Sequence, residues 1–129
     1  MPDPIIFISH HQVKAGKLEE LREYTQAGMP LIEAGKPGTV VMLAYLNQDN
    51  SEISFFHLFP NAQAMDDHLQ GADDRSQSAY EYLKPKSFEI YGKPSERALE
   101  MMRRQAKQLG MDLRVDPGYL SGFIRPQSG

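Results

Sequence analysis

Read with the two-residue period of a strand, two segments of this chain are apolar on both faces. Residues 4–13 set Ile6 and Ile8 against Ile5 and Phe7, and residues 51–59 set Phe56 and Leu58 against Ile53, Phe55 and Phe59. Such strands belong in the middle of a sheet, where neighbours pair both edges and other layers cover both faces. Helices can cover one face. The other would meet water in a monomer, and an exposed apolar patch of that kind marks an association surface. The pattern therefore predicts a homodimer formed sheet to sheet, the alternative being that the C-terminal segment covers that face.

The rest of the chain supplies the helices and edge strands. After the Lys14-Ala15-Gly16 break, Leu18, Leu21, Thr25, Leu31 and Ile32 recur at near-helical spacing among charged residues, predicting a helix over 17–33 that Gly28 and Pro30 bend or shorten. Gly35, Pro37 and Gly38 stop it. Residues 39–46 read as a strand joined through Asn47-Gln48-Asp49-Asn50 to the strand at 51–59, a hairpin. Asn61 caps a helical stretch in which Ala62, Met65 and Leu69 share a face. A further helical piece after Gly71 carries Ala79, Tyr80 and Leu83, and residues 86–92 form the fourth strand. Strand, helix, strand, strand, helix, strand is the split β-α-β order of an α+β, ferredoxin-like fold with an antiparallel sheet ordered 4-1-3-2.

That unit spans residues 4–93 and leaves 94–129 as an extension. Ser95 is an N-cap residue, Leu99, Met102, Ala106 and Leu109 make a stripe on a helix over about 95–109, and Gly110 is its stop. Residues 111–115 and 119–124 read as two short extended pieces about Asp116-Pro117-Gly118, and 126–129 as a frayed end. The extension packs on the same domain or on the partner subunit.

Composition narrows the chemistry. The 129 residues amount to one domain with a real core. Without cysteine there is no thiolate nucleophile, disulfide or cysteine-held metal, and a net charge of -3 argues against a nucleic-acid partner. The longest apolar run, residues 40–46, is far too short for a membrane helix, and the start lacks the pattern of a signal peptide, so a soluble cytoplasmic protein is expected. No phosphate-binding glycine loop, H-E-x-x-H or G-x-S-x-G is present.

The four histidines carry the chemistry that remains. His10 and His11 are adjacent on a strand and point to opposite faces, so they cannot act as one set. If Val13 faces the helices, so do His11, Ser9 and Phe7, leaving His10 with Ile8 on the outer face. His57 shares a face with Phe55 and Phe59. Because the first and third strands are antiparallel neighbours, His11 and His57 can line the helix-covered face, with His68 reaching down from the second helix. Imidazole exchanges protons near neutral pH and also binds metals. For each histidine alone, a hydrogen-bonded structural role is the plainer reading. No close ligand pair such as H-x-H is present, and no metal is assigned.

Residues 13–17 leading into an acidic helix, the Lys36-Pro37-Gly38-Thr39 turn into a strand, and Phe55-Phe56-His57-Leu58-Phe59 followed by Ala64-Met65-Asp66-Asp67-His68-Leu69 together resemble the antibiotic biosynthesis monooxygenase family. The resemblance covers residues 4–93. It implies a dimeric α+β barrel with a ligand pocket in each subunit between sheet and helices. Family members include cofactor-independent monooxygenases acting on aromatic polyketides or quinols, and haem-degrading enzymes. His68 matches a histidine often carried on the second helix. Phe59 stands where many members have tryptophan, His57 where an acidic residue is common, and Ser9 where haem-degrading relatives use asparagine, so haem degradation is not expected.

The resemblance thus implies a monooxygenase that needs no cofactor and acts on a phenol- or quinol-like molecule. His11, His57 and His68 are the candidate acid/base or orienting groups, and Ser9, Phe55 and Phe59 the candidate substrate-binding residues. The competing expectation is a non-catalytic dimeric module that binds a small apolar or aromatic ligand.

Overall fold

The computed structural model describes residues 3–125; the frayed end read from 126–129 lies outside them. The elements run β1 (Ile5–Val13), α1 (Leu18–Gly35), β2 (Val41–Leu46), β3 (Glu52–Phe59), α2 (Ala62–Leu69), α3 (Ala72–Ala79), β4 (Leu83–Tyr91), α4 (Glu96–Leu109) and β5 (Asp112–Asp116). They form one five-stranded sheet, ordered β2-β3-β1-β4-β5, in an α+β fold of the ferredoxin-like type. Read from the other side, the first four strands follow the expected order 4-1-3-2. The fifth is an addition: β5 lies outside β4 and parallel to it, so the sheet is mixed. A parallel neighbour needs a crossover, and α4 supplies it.

Three local expectations change. Residues 119–124 form no strand, because the chain leaves β5 at Pro117, which has no N–H to continue the ladder. Leu83 opens β4 instead of closing α3. That strand starts three residues earlier than expected and runs through Pro85, which pairs with His11 where the β1–β4 register shifts and an irregular ladder tolerates the missing donor. Finally, α1 runs through Pro30 to Gly35, with that proline on the exposed side.

Capping follows the sequence. The Asn61 side chain accepts the Ala64 N–H at 2.8 Å. Ser95 Oγ accepts the Ala98 N–H and donates to the Asp66 carboxylate at 2.7 Å, tying the start of α4 to α2. Gly110 ends α4 in the left-handed conformation. Gly92 is required on two counts: its φ is +113°, and a Cβ there would lie 2.8 Å from the Pro4 carbonyl oxygen.

The inner face of the sheet holds two apolar clusters. Ile5, Phe7, Phe59, Phe88 and Ile90 pack with Met65 of α2 and Met102 of α4, and Leu21 of α1 packs with Ile53 and Leu83. Each such side chain contributes about 1.5–3 kcal/mol on burial. The grip of α1 and α3 is lighter: Leu21 is the buried residue of α1, and α3 has none. The outer face carries no helix of the described residues. Ile6, Leu43 and Tyr45 are exposed there, and His10 lies between Ser54 and Glu89, 2.7 and 2.9 Å from its ring nitrogens.

Candidate functional site

Because α1 and α3 stand off the sheet, a cavity of about 530 Å³ opens beneath them. Its floor is the inner face of β1, β3 and β4; its walls come from α1, the α2–α3 pair and α4. Ser9, His11, Phe55, His57 and His68 all line it, as their face assignments predict. Phe59 does not. It is fully buried behind His57 and His68, its ring centroid 6.0 and 5.3 Å from theirs, so it supports the histidines and makes no cavity wall. The two-residue period identifies its face, but the end of β3 lies beneath α2, which seals it.

The histidines are not equivalent. His57 and His68 meet edge to face, with centroids 5.0 Å apart. His11 pairs in register with Ile53, whereas His57 pairs with Phe7, which sets the two about 13 Å apart along the strands. That exceeds what two imidazole side chains can bridge directly. The expected trio is therefore a contacting pair plus a separate histidine at the far end of the row, with Ser9 between.

Each ring is oriented by its surroundings. His57 Nδ1–H donates to the Phe7 carbonyl at 3.0 Å, leaving Nε2 with the lone pair, and the Phe7 ring stacks on the imidazole at 4.8 Å. Thr39 Oγ1 lies 2.7 Å from Nδ1 of His68. The turn carrying Thr39 can approach this closely because Gly38 sits against α2, where a Cβ would be 3.0 Å from that of Ala64. His11 packs edge-on against Phe55, and its Nδ1 is buried with no hydrogen-bond partner.

All three are held neutral. Burial is the leading cause, lowering His11 and His57 to about 4 and His68 to about 3. Neighbouring positive charge acts in the same direction, from Arg75 and Lys36 on His68 and from Arg75 on His57, and a proton on His57 would further disfavour one on His68. At neutral pH the cavity therefore presents uncharged imidazoles, one with an identified acceptor nitrogen.

Residues that the sequence did not mark complete the lining. Arg75 of α3 donates from Nη2 to the His68 carbonyl at 2.6 Å and from Nη1 to that of Gln70 at 3.1 Å. Tyr80 lines the cavity and accepts a hydrogen bond from Gln105 of α4 at 3.1 Å. Phe88 and Met102 add apolar surface. The acidic pair Asp66-Asp67 takes no part: Asp66 accepts from Ser95 and Asp67 from Gln63. Among the described residues no cluster of three or more metal-ligating side chains occurs, and no helix is long and apolar enough to cross a membrane.

Neither a family model nor a curated protein matches this sequence. Solved structures do. MupZ from Pseudomonas fluorescens superposes with a TM-score of 0.71 at 14% identity over 96% of each chain, which takes in α4 and β5. SnoaB from Streptomyces nogalater, a cofactor-independent oxygenase, gives 0.59 at 12% identity over 72% of this chain and 95% of its own. A Bacteroides thetaiotaomicron protein provisionally assigned as an antibiotic biosynthesis monooxygenase gives 0.55 at 13% identity over 68% and 85%. The fold is that of the antibiotic biosynthesis monooxygenase type.

Proposed function

We propose that this protein is a cofactor-independent monooxygenase acting on an aromatic, phenol- or quinol-like molecule held between sheet and helices. The observation that carries the reading is His57, whose donor nitrogen is committed to the Phe7 carbonyl and whose acceptor nitrogen belongs to a ring lining an apolar cavity. The substrate loses a proton to Nε2, and its anion passes one electron to dioxygen. The resulting radical and superoxide combine to form a carbon–oxygen bond. The imidazolium returns its proton to the peroxide, and cleavage of the O–O bond with loss of the C–H proton then leaves a carbonyl on the substrate and releases water, with dioxygen as the sole oxidant. The protein's tasks are to accept the proton, place the anion and exclude water.

Magnitude limits the substrate. Transfer from a simple phenol, near pKa 10, to an imidazole near 4 is uphill by roughly 8 kcal/mol. An anion forming beside His57 offsets part of this by stabilising the imidazolium. Acidic phenols and enols are therefore favoured over simple phenols.

The outer sheet face fits a second copy of this chain. Ile6, Leu43 and Tyr45 are exposed on it beside Ile8, Phe56 and Leu58, and an apolar sheet face is covered in a sheet-to-sheet homodimer.

The test is oxygen uptake with a panel of hydroquinones and anthrones, comparing the intact protein with His57→Ala and His68→Ala. Loss of about 10²-fold or more in rate is expected for His57→Ala. Unchanged rates in both variants would refute the site assignment. Absence of uptake with every substrate, while the same compounds still bind, would favour the binding-module reading.

A further inference from the structure

An uncharged aromatic ligand leaves Arg75 unexplained. The guanidinium stands half-buried on α3 at the His68 end of the cavity, and burial lowers its pKa, so its charge is partly stripped of water. Its two hydrogen bonds go to main-chain carbonyls, which neutralise no charge. Among the described residues no carboxylate lies within ion-pair distance of it. Two other charged side chains line the same cavity. Lys36 donates to the carbonyls of Asp67 and Gln70, and Asp73 is exposed. A cation removed from water without a counter-ion is costly, and the counter-ion missing from the chain can come from the ligand.

We propose that the ligand of this cavity is an aromatic carboxylic acid whose carboxylate pairs with Arg75 while its rings lie over Phe7, Phe55 and Phe88. The planar guanidinium has five N–H donors, of which the carbonyls take two, and a carboxylate matches its fork. The apolar floor and Met102 suit fused rings, and 530 Å³ falls within the usual range for a small-molecule site. His57 then lies within one histidine of the anchored end, with His68 between it and Arg75. This inference rests on reading the cavity as an aromatic-ligand site and narrows the ligand to one bearing an acid; it does not depend on oxygenation.

Anthracene-2-carboxylate and anthracene-2-carboxamide have nearly the same shape and differ in charge. Fluorescence titration of the intact protein at pH 7.5 is expected to give the acid about tenfold or more tighter binding than the amide. Arg75→Gln is expected to bring the acid and the amide to equal affinity, whereas Arg104→Gln, on the exposed side of α4, leaves the acid preference as it is. Equal affinity of the native protein for the two probes, binding of neither, or a preference that survives Arg75→Gln would each overturn the proposal. The comparison of probes on the native protein decides even if the variant fails to fold. Oxygen uptake recorded in parallel keeps the two readings apart. Acid preference without uptake of oxygen by any substrate counts against the oxygenase alone. Uptake with uncharged hydroquinones and no acid preference counts against the carboxylate site alone.

Discussion

Phe7 holds His57 twice, through its carbonyl oxygen, 3.0 Å from Nδ1, and through its ring, stacked at 4.8 Å. The two residues are register partners on β1 and β3, so sheet pairing itself sets the tautomer of the imidazole. His57 is expected to be neutral at pH 7 with its proton on Nδ1, because burial lowers its pKa to about 4. Nitrogen chemical shifts of the histidine rings check this. A His57 resonance that titrates near the ordinary value of about 6.5, or a proton on Nε2, would contradict the arrangement.

Phe59 stands where the family resemblance expects tryptophan, yet it is sealed between His57, His68 and Met65 and not on the cavity wall. Phe59→Trp should therefore act by overpacking, lowering stability by about 1–3 kcal/mol without enlarging the ligand range. Denaturant unfolding reads the first effect and probe binding the second. A variant as stable as the parent with altered ligand preference would put this residue back in the wall.

The division between what could and could not be read from the sequence has a physical origin. The period of two placed Ser9, His11, Phe55 and His57 on one face, because strand geometry is set locally and alternation survives any tertiary arrangement. The distance between His11 and His57 depends on register between strands some 40 residues apart, which no local pattern encodes; hence the shared cavity was legible and the wide spacing of His11 from the His57–His68 pair was not. Arg75 lies on α3, an eight-residue helix without a buried residue, so no apolar stripe showed which side faces the cavity. The place of β5 was hidden for a similar reason. Leu113 and Val115 alternate with Asp112, Arg114 and Asp116 and mark an extended piece, but its position outside β4 follows from where α4 delivers the chain.

The outer face gives a prediction about assembly. Ile6 and Leu43 are each more than two-fifths exposed, Tyr45 more so, and Phe56 lies beneath them with its ring 5.8 Å from that of Tyr45. Light scattering is expected to give twice the 14.6 kDa chain mass at micromolar concentration. Placing unlike charges amid the patch, as in Ile6→Lys with Phe56→Asp, should produce a monomer that keeps its far-ultraviolet spectrum. A native protein monomeric across that range leaves the face without its proposed partner.

Acid should destabilise the protein well before its carboxylates titrate. His11, His57 and His68 have folded-state values of about 4, 4 and 3, below the unfolded value near 6.5. Above pH 6.5 neither state binds the proton, so the full stability is present. As pH falls from 6.5 towards 4 the unfolded chain takes up protons that the folded chain refuses. Each histidine then removes up to about 1.4 kcal/mol per pH unit. Urea midpoints at pH 7.5, 6 and 5 should decline progressively, and His11→Leu should reduce the slope by about a third, since one of three equal contributors is gone. The same substitution removes a buried ring nitrogen that has no partner, so the variant should gain most over the parent at the acid end. Midpoints that stay level between pH 7.5 and 5, or a slope unaffected by His11→Leu, would mean that water reaches these rings and that the cavity is wetter than its lining implies.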